Sequence, residues 1–97
     1  MSEKFFGKYR GVVLNNIDPE RMGRIQVQVP DVLGVTPSTW AMPCAPVNLP
    51  RTIGSALPKV GAGVWVEFEG GDPNHPIWTG RWFGNLNETP PALRTSK

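Results

Sequence analysis

Apolar and polar residues alternate along much of this chain with the two-residue period of β-strands, not the 3.6-residue period of helices. In Arg24–Val29, Ile25, Val27 and Val29 fall on one face and Arg24, Gln26 and Gln28 on the other, the pattern of a half-buried strand. Gly63–Glu69 repeats it, with Val64, Val66 and Phe68 inward and Trp65, Glu67 and Glu69 outward. Lys8–Asn16 is rich in β-formers, with Tyr9 and Val13 directed to the core. Ile77–Phe83 reads as a strand in which Gly80 marks a bend, as a short coiled barrel strand needs. Trp40–Met42 predicts a short strand ended by Pro43. No stretch sustains helical periodicity, so no helix is expected.

The connections carry the chemistry of turns. In Ile17–Gly23, Pro19 presets φ, the Asp18 side chain can bond the backbone beyond it, and Gly23 permits positive φ. Gly70–Pro76 forms a second long turn, and Pro30–Thr39 reads as loop. Residues 43–62, broken by Pro43, Pro46, Pro50, Gly54, Pro58 and Gly61, predict a long loop ordered mainly by a partner. The chain thus divides into an N-terminal arm (1–7), a barrel (8–84) and a polar tail (85–97) with little order of its own. Five short strands cannot build a large sandwich, and closure into a barrel removes exposed edges with the fewest residues. The expected fold class is all-β: a small five-stranded OB-like barrel with a long Pro/Gly-rich loop and a flexible C-terminal tail.

Composition narrows the function. With 97 residues the chain makes one domain. The net charge is only +2, and its basic residues are scattered singly among acids. No run of like charge signals a nucleic-acid or membrane patch. Cys44 is the sole cysteine, so no internal disulfide can form, and assembly in a reducing cytoplasm is expected. The N-terminal MSEKFFGKYR has no apolar signal region, and no apolar run approaches a membrane span. A soluble protein that does not itself enter a membrane is expected.

Two segments resemble a known family. Tyr9–Val13 followed by Asp18–Val27 (DPERMGRIQV) is similar to the opening hairpin of the OB-fold domain of phage baseplate assembly protein V and of the type VI secretion VgrG spike. Leu57–Gly80 (LPKVGAGVWVEFEGGDPNHPIWTG) is similar to that family's second hairpin, where a Gly-Asp-Pro turn leads into a strand bearing an aromatic and a glycine. The resemblance implies a homotrimeric, non-catalytic module on the threefold axis of a tail, between a baseplate hub protein and a β-helical spike. It places the chain in a virion tail baseplate or phage-like particle. Longer relatives continue into a lysozyme domain or a β-helix, whereas this sequence stops at Lys97; the expectation is that the spike or needle is a separate polypeptide, or that the assembly is blunt.

Candidate chemistry is sparse. Glu67 and Glu69 share a face, but their alternation with buried Val and Phe marks them as the outer side of a strand rather than a catalytic pair. His75, the only histidine, lies in the Asp-Pro-Asn-His-Pro turn, where a turn-capping or solvent role suits it better than that of a base. Asp72, Asn74 and His75 fall short of the third protein ligand usual for zinc. No catalytic residue, metal or cofactor is therefore assigned. Single-stranded nucleic acid is the rival ligand, since OB barrels bind strands through aromatic platforms. Trp40, Trp65, Trp78, Trp82 and Phe83 supply rings, and Arg24, Lys59 and Arg81 supply charge, but Glu67 and Glu69 beside Trp65 would repel phosphate. A protein interface suits these rings better. The candidate interface residues are Trp65, Trp78, Trp82 and Arg81, with Asp72, Asn74 and His75 on the second hairpin turn.

Overall fold

The computed structural model describes residues 3–47 and 57–94. Five strands form one sheet: β1 (Tyr9–Asn15), β2 (Gln26–Gln28), β3 (Met42–Pro43), β4 (Gly63–Phe68) and β5 (Pro76–Arg81). Their order is β2-β1-β4-β5-β3. All pairings are antiparallel except β3 with β5. The sheet curls until its two outer strands meet. There Ile25 N–H donates to Ala41 O at 3.2 Å and Ala41 N–H returns a bond to Ile25 O at 2.7 Å. Followed around, the ring reads β1-β2-β3-β5-β4 and returns to β1. That is an OB-like barrel.

Alternation explains the core. Val13, Ile25, Val27, Val29, Ala41, Val64 and Val66 are fully buried, and Phe68 nearly so. Each such aliphatic side chain contributes about 1.5–3 kcal/mol of transfer free energy. Gly11 belongs to the same inner face, because a Cβ there would meet Val66 Cγ2 at 3.0 Å. One barrel end is closed by Phe5 of the arm together with Tyr9 of β1 and Phe68 of β4. Phe5 lies 6.3 Å from Tyr9 and 6.4 Å from Phe68 between ring centres, Tyr9 lies 5.8 Å from Phe68, and Phe5 N–H donates to Gly71 O at 2.8 Å.

Several expectations need correction. The segment expected as loop opens with a short helix, α1 (Pro30–Leu33). Pro30 sits in its first turn, where the missing N–H costs nothing, and Val32 and Leu33 pack against the core. A helix of one turn is too short to show a period in sequence. The third strand lies at Met42–Pro43 rather than 40–42. Cys44 N–H donates to Trp78 O at 2.9 Å, so in this parallel pairing Pro43 turns its nitrogen away from β5 and tolerates the strand. Glu69 begins a 3₁₀ turn (Glu69–Gly71) instead of ending β4. Apart from these corrections, the polar tail carries two 3₁₀ turns, Leu86–Glu88 and Pro91–Leu93, the first capped by Asn85 Oδ1 accepting from Glu88 N–H at 3.0 Å. Residues 48–56, the middle of the expected partner-ordered loop, and residues 95–97 lie outside the described residues.

Candidate interaction surface

The first hairpin turn is organised by one carboxylate. Asp18, whose side chain is 2% exposed, accepts from the backbone N–H groups of Glu20 (2.9 Å), Met22 (2.8 Å) and Arg24 (3.2 Å). Arg24 adds a two-pronged ion pair through Nε at 3.0 Å and Nη2 at 2.8 Å. The Arg24 pairing, more than the backbone donors, holds the Asp18 carboxyl far below the ordinary carboxylate range. The guanidinium also lies 5.6 Å from the centre of the Trp40 ring. Asp18 was legible as a turn residue; its charge partner was not, because strand alternation had Arg24 simply facing solvent.

The second hairpin, β4 and β5, distributes the expected interface residues unevenly. At its open end they gather around Gly63. The Trp82 ring lies flat on this glycine, since a Cβ would stand 2.5 Å from Trp82 Cε2. Gly63 O accepts from Arg81 Nε at 2.9 Å and from Trp82 N–H at 3.3 Å. Arg10, paired across the strands with Trp65, sets its guanidinium 5.4 Å from the Trp65 ring and 4.7 Å from the Trp82 ring. Such contacts contribute about 0.5–1 kcal/mol each at exposed sites. Arg81 similarly lies 4.8 Å from the Phe83 ring. Trp65, Arg81 and Trp82 thus form one cluster, and Arg10 is the member that strand patterning missed.

Asp72, Asn74 and His75 are at the other end of the same hairpin. With six residues in β4 and about 3.3 Å of rise per residue, the two groups stand a strand length apart. The turn is self-contained. Asp72 Oδ1 accepts from Asn74 N–H at 2.9 Å, His75 Nδ1 lies 3.0 Å from Asp72 Oδ2, and Asn74 O accepts from Thr39 Oγ1 at 3.0 Å. The Asn74 N–H, followed by His75, lowers the Asp72 carboxyl below its ordinary value. Among the described residues no three His, Cys, Asp or Glu gather as metal ligands.

Trp78 departs from its expected outward placement. The pairing shifts by one residue between Trp65↔Gly80 and Val66↔Trp78, a bulge at Thr79 that Gly80 accommodates with φ +152°. The shift swings Trp78 to the Val66 side of the sheet, where it packs against the core. Its Nε1 donates to Gly23 O at 3.0 Å and ties the first turn to β5. All four tryptophans are half-buried by their own chain.

The family model for the injector OB domain of type VI secretion systems and phage baseplates matches residues 9–83. Those bounds run from the first residue of β1 to just past the Trp82 cluster. The chain belongs to this family. No match was found among curated proteins. Membership in the injector OB family gives the chain a structural role in a baseplate or spike, in association with other components of that apparatus. The injector OB family is a structural one. Glu67 pairs with Lys8 at 3.7 Å on the outer face, and His75 is held within its own turn by Asp72. No helix among the described residues is long and apolar enough to cross a membrane.

Proposed function

We propose that this injector OB domain is a homotrimeric adaptor that links a baseplate hub protein to a separate spike or needle protein. It would work in the tail of a virion or phage-like particle assembled in the host cytoplasm. The observation that carries the reading is the family match over residues 9–83, which spans the whole ring of strands. The cluster of exposed Arg10 with half-buried Trp65 and Trp82 supports it. An arginine between indoles on the outside of a small barrel is the composition of a protein contact surface, where Trp and Arg are enriched. Threefold association would finish burying these rings. No reaction or cofactor is part of this proposal.

Mass measurement in solution tests the reading, with the domain alone and mixed with a baseplate hub protein. The expected result is a species at three times the 10.7 kDa protomer mass that also captures the hub. A strict monomer that ignores the hub would overturn the proposal.

A further inference from the structure

Beside the Gly63 cluster is a cleft of about 590 Å³ whose lining includes Leu57, Lys59, Trp78, Arg81, Trp82 and Glu88. We infer that this cleft docks an acidic, apolar, extended segment of another baseplate protein. The inference rests on the adaptor reading and names the chemistry of one contact that reading requires.

Charge points to the occupant. All eight Asp and Glu side chains of the sequence fall within the described residues, and among those residues the ion pairs they form are with Lys8, Arg24 and His75. Among the described residues, Lys59 and Arg81 on the cleft, and Arg10 next to it, have no carboxylate within 4.0 Å. Glu88 also lines the cleft, but its Oε1 already accepts from Gly84 N–H at 2.7 Å. A carboxylate from outside would meet two cations there. The cleft wall also holds a donor in need of an acceptor. Trp82 Nε1 is buried and, among the described residues, has no hydrogen-bond partner, an unfavourable state until an oxygen arrives. Apolar surface adjoins these groups: Val60, next to Lys59 in the same turn, is 62% exposed, and Leu14, on the outer face of β1, is 40% exposed. Gly61 N–H donates to Val13 O at 2.8 Å, which brings that turn against β1.

A nucleic-acid strand would also offer oxygens to the cations, but it needs open ring faces. Here guanidinium groups cover Trp65, Trp82 and Phe83, and Glu88 stands in the lining. A peptide carboxylate with apolar neighbours fits where a stacked base does not.

The test pans a random linear-peptide display library against the intact domain. The strongest peptide is then mapped by following the four indole N–H resonances in ¹H–¹⁵N spectra. The expected winners carry Asp or Glu beside a large apolar residue and move the Trp82 indole signal. Converting their acids to amides, or using the Lys59→Glu/Arg81→Glu variant, should weaken binding at least about tenfold. The variant's own spectrum verifies its fold, and the wild-type mapping does not depend on it. Absence of selected peptides, winners without acids, perturbation centred on Trp40, or displacement of the peptide by a thymidine oligonucleotide would each overturn the inference. If the wild-type domain assembles with the hub while the charge-reversed variant does so equally well, the cleft inference alone fails and the adaptor reading stands.

Discussion

Asp18 receives five hydrogen bonds within one turn, three of them from Arg24 (its backbone N–H and two from its guanidinium), and this density makes the first hairpin sensitive to acid. The folded carboxyl is held below its ordinary value of 3.8. The stabilisation is therefore fully present above about pH 4, where the unfolded chain is ionised as well. It drains away as pH falls toward the depressed folded value. Urea unfolding at a series of pH values should show stability falling from pH 4 to 2 in the native protein. Asp18→Asn should be less stable at pH 7 and show a flatter decline over that window. Equal slopes in the two proteins would mean that this turn does not govern acid stability. Gly63 presents the converse case, in which the missing side chain matters. A methyl group there would lie inside the Trp82 ring, with contacts of 2.5–2.8 Å to its carbons. Gly63→Ala should therefore expel the indole from its place against Arg10 at a cost of about 1–3 kcal/mol. Denaturant titration gives the magnitude, and a red-shifted tryptophan emission reports the ring's release to water.

The strands that were legible are those long enough to alternate. Ile25, Val27 and Val29, and Val64, Val66 and Phe68, were correctly placed inward because each segment shows three apolar positions in phase. The barrel seam was not legible, because it is built from single residues. Beyond the Ile25–Ala41 bridge, Val27 N–H donates to Ser38 Oγ at 3.0 Å and Ser38 N–H donates to Val27 O at 2.9 Å. A buried serine thus replaces a strand partner, and no periodicity can announce that. Helix α1 escaped for the same reason of length, and Trp78 because a bulge reversed the phase of β5. The seam has a measurable consequence. Ser38→Ala would leave the buried Val27 N–H without an acceptor, at about 1–3 kcal/mol. Chemical denaturation should show that loss, and hydrogen exchange should show the Val27 amide losing protection well before the β1–β4 amides. Unchanged protection at Val27 would mean that another group closes the seam.

At the scale of the molecule, the sequence carried the barrel and the family, while the site was only half legible. Trp65, Arg81 and Trp82 do gather, but Asp72, Asn74 and His75 stand at the opposite end of the hairpin, and Arg10, which joins two of the indoles, attracted no attention as an isolated charge on β1. Chemical type can be read residue by residue, whereas pairing register decides who meets whom: Arg10 reaches Trp65 only because β1 and β4 align at that pair. The same placement bears on the rival OB function. Strand binding needs ring faces open to bases and a groove of positive charge. Here Arg10, Arg24 and Arg81 lie over Trp65, Trp82, Trp40 and Phe83, and Trp78 packs on the core. A base would have to displace a guanidinium from each ring, trading one favourable contact for another. With a net charge of +2, few counterions would be released to favour the exchange. A fluorescently labelled thymidine oligomer should therefore bind no more tightly than nonspecific complexes, with Kd no tighter than about 10⁻⁶ M near physiological salt. Lowering the salt should bring only shallow tightening and little quenching of tryptophan emission. Submicromolar binding with a steep salt slope would show that the guanidinium groups yield their rings to bases, and would move the function from tail assembly to strand recognition.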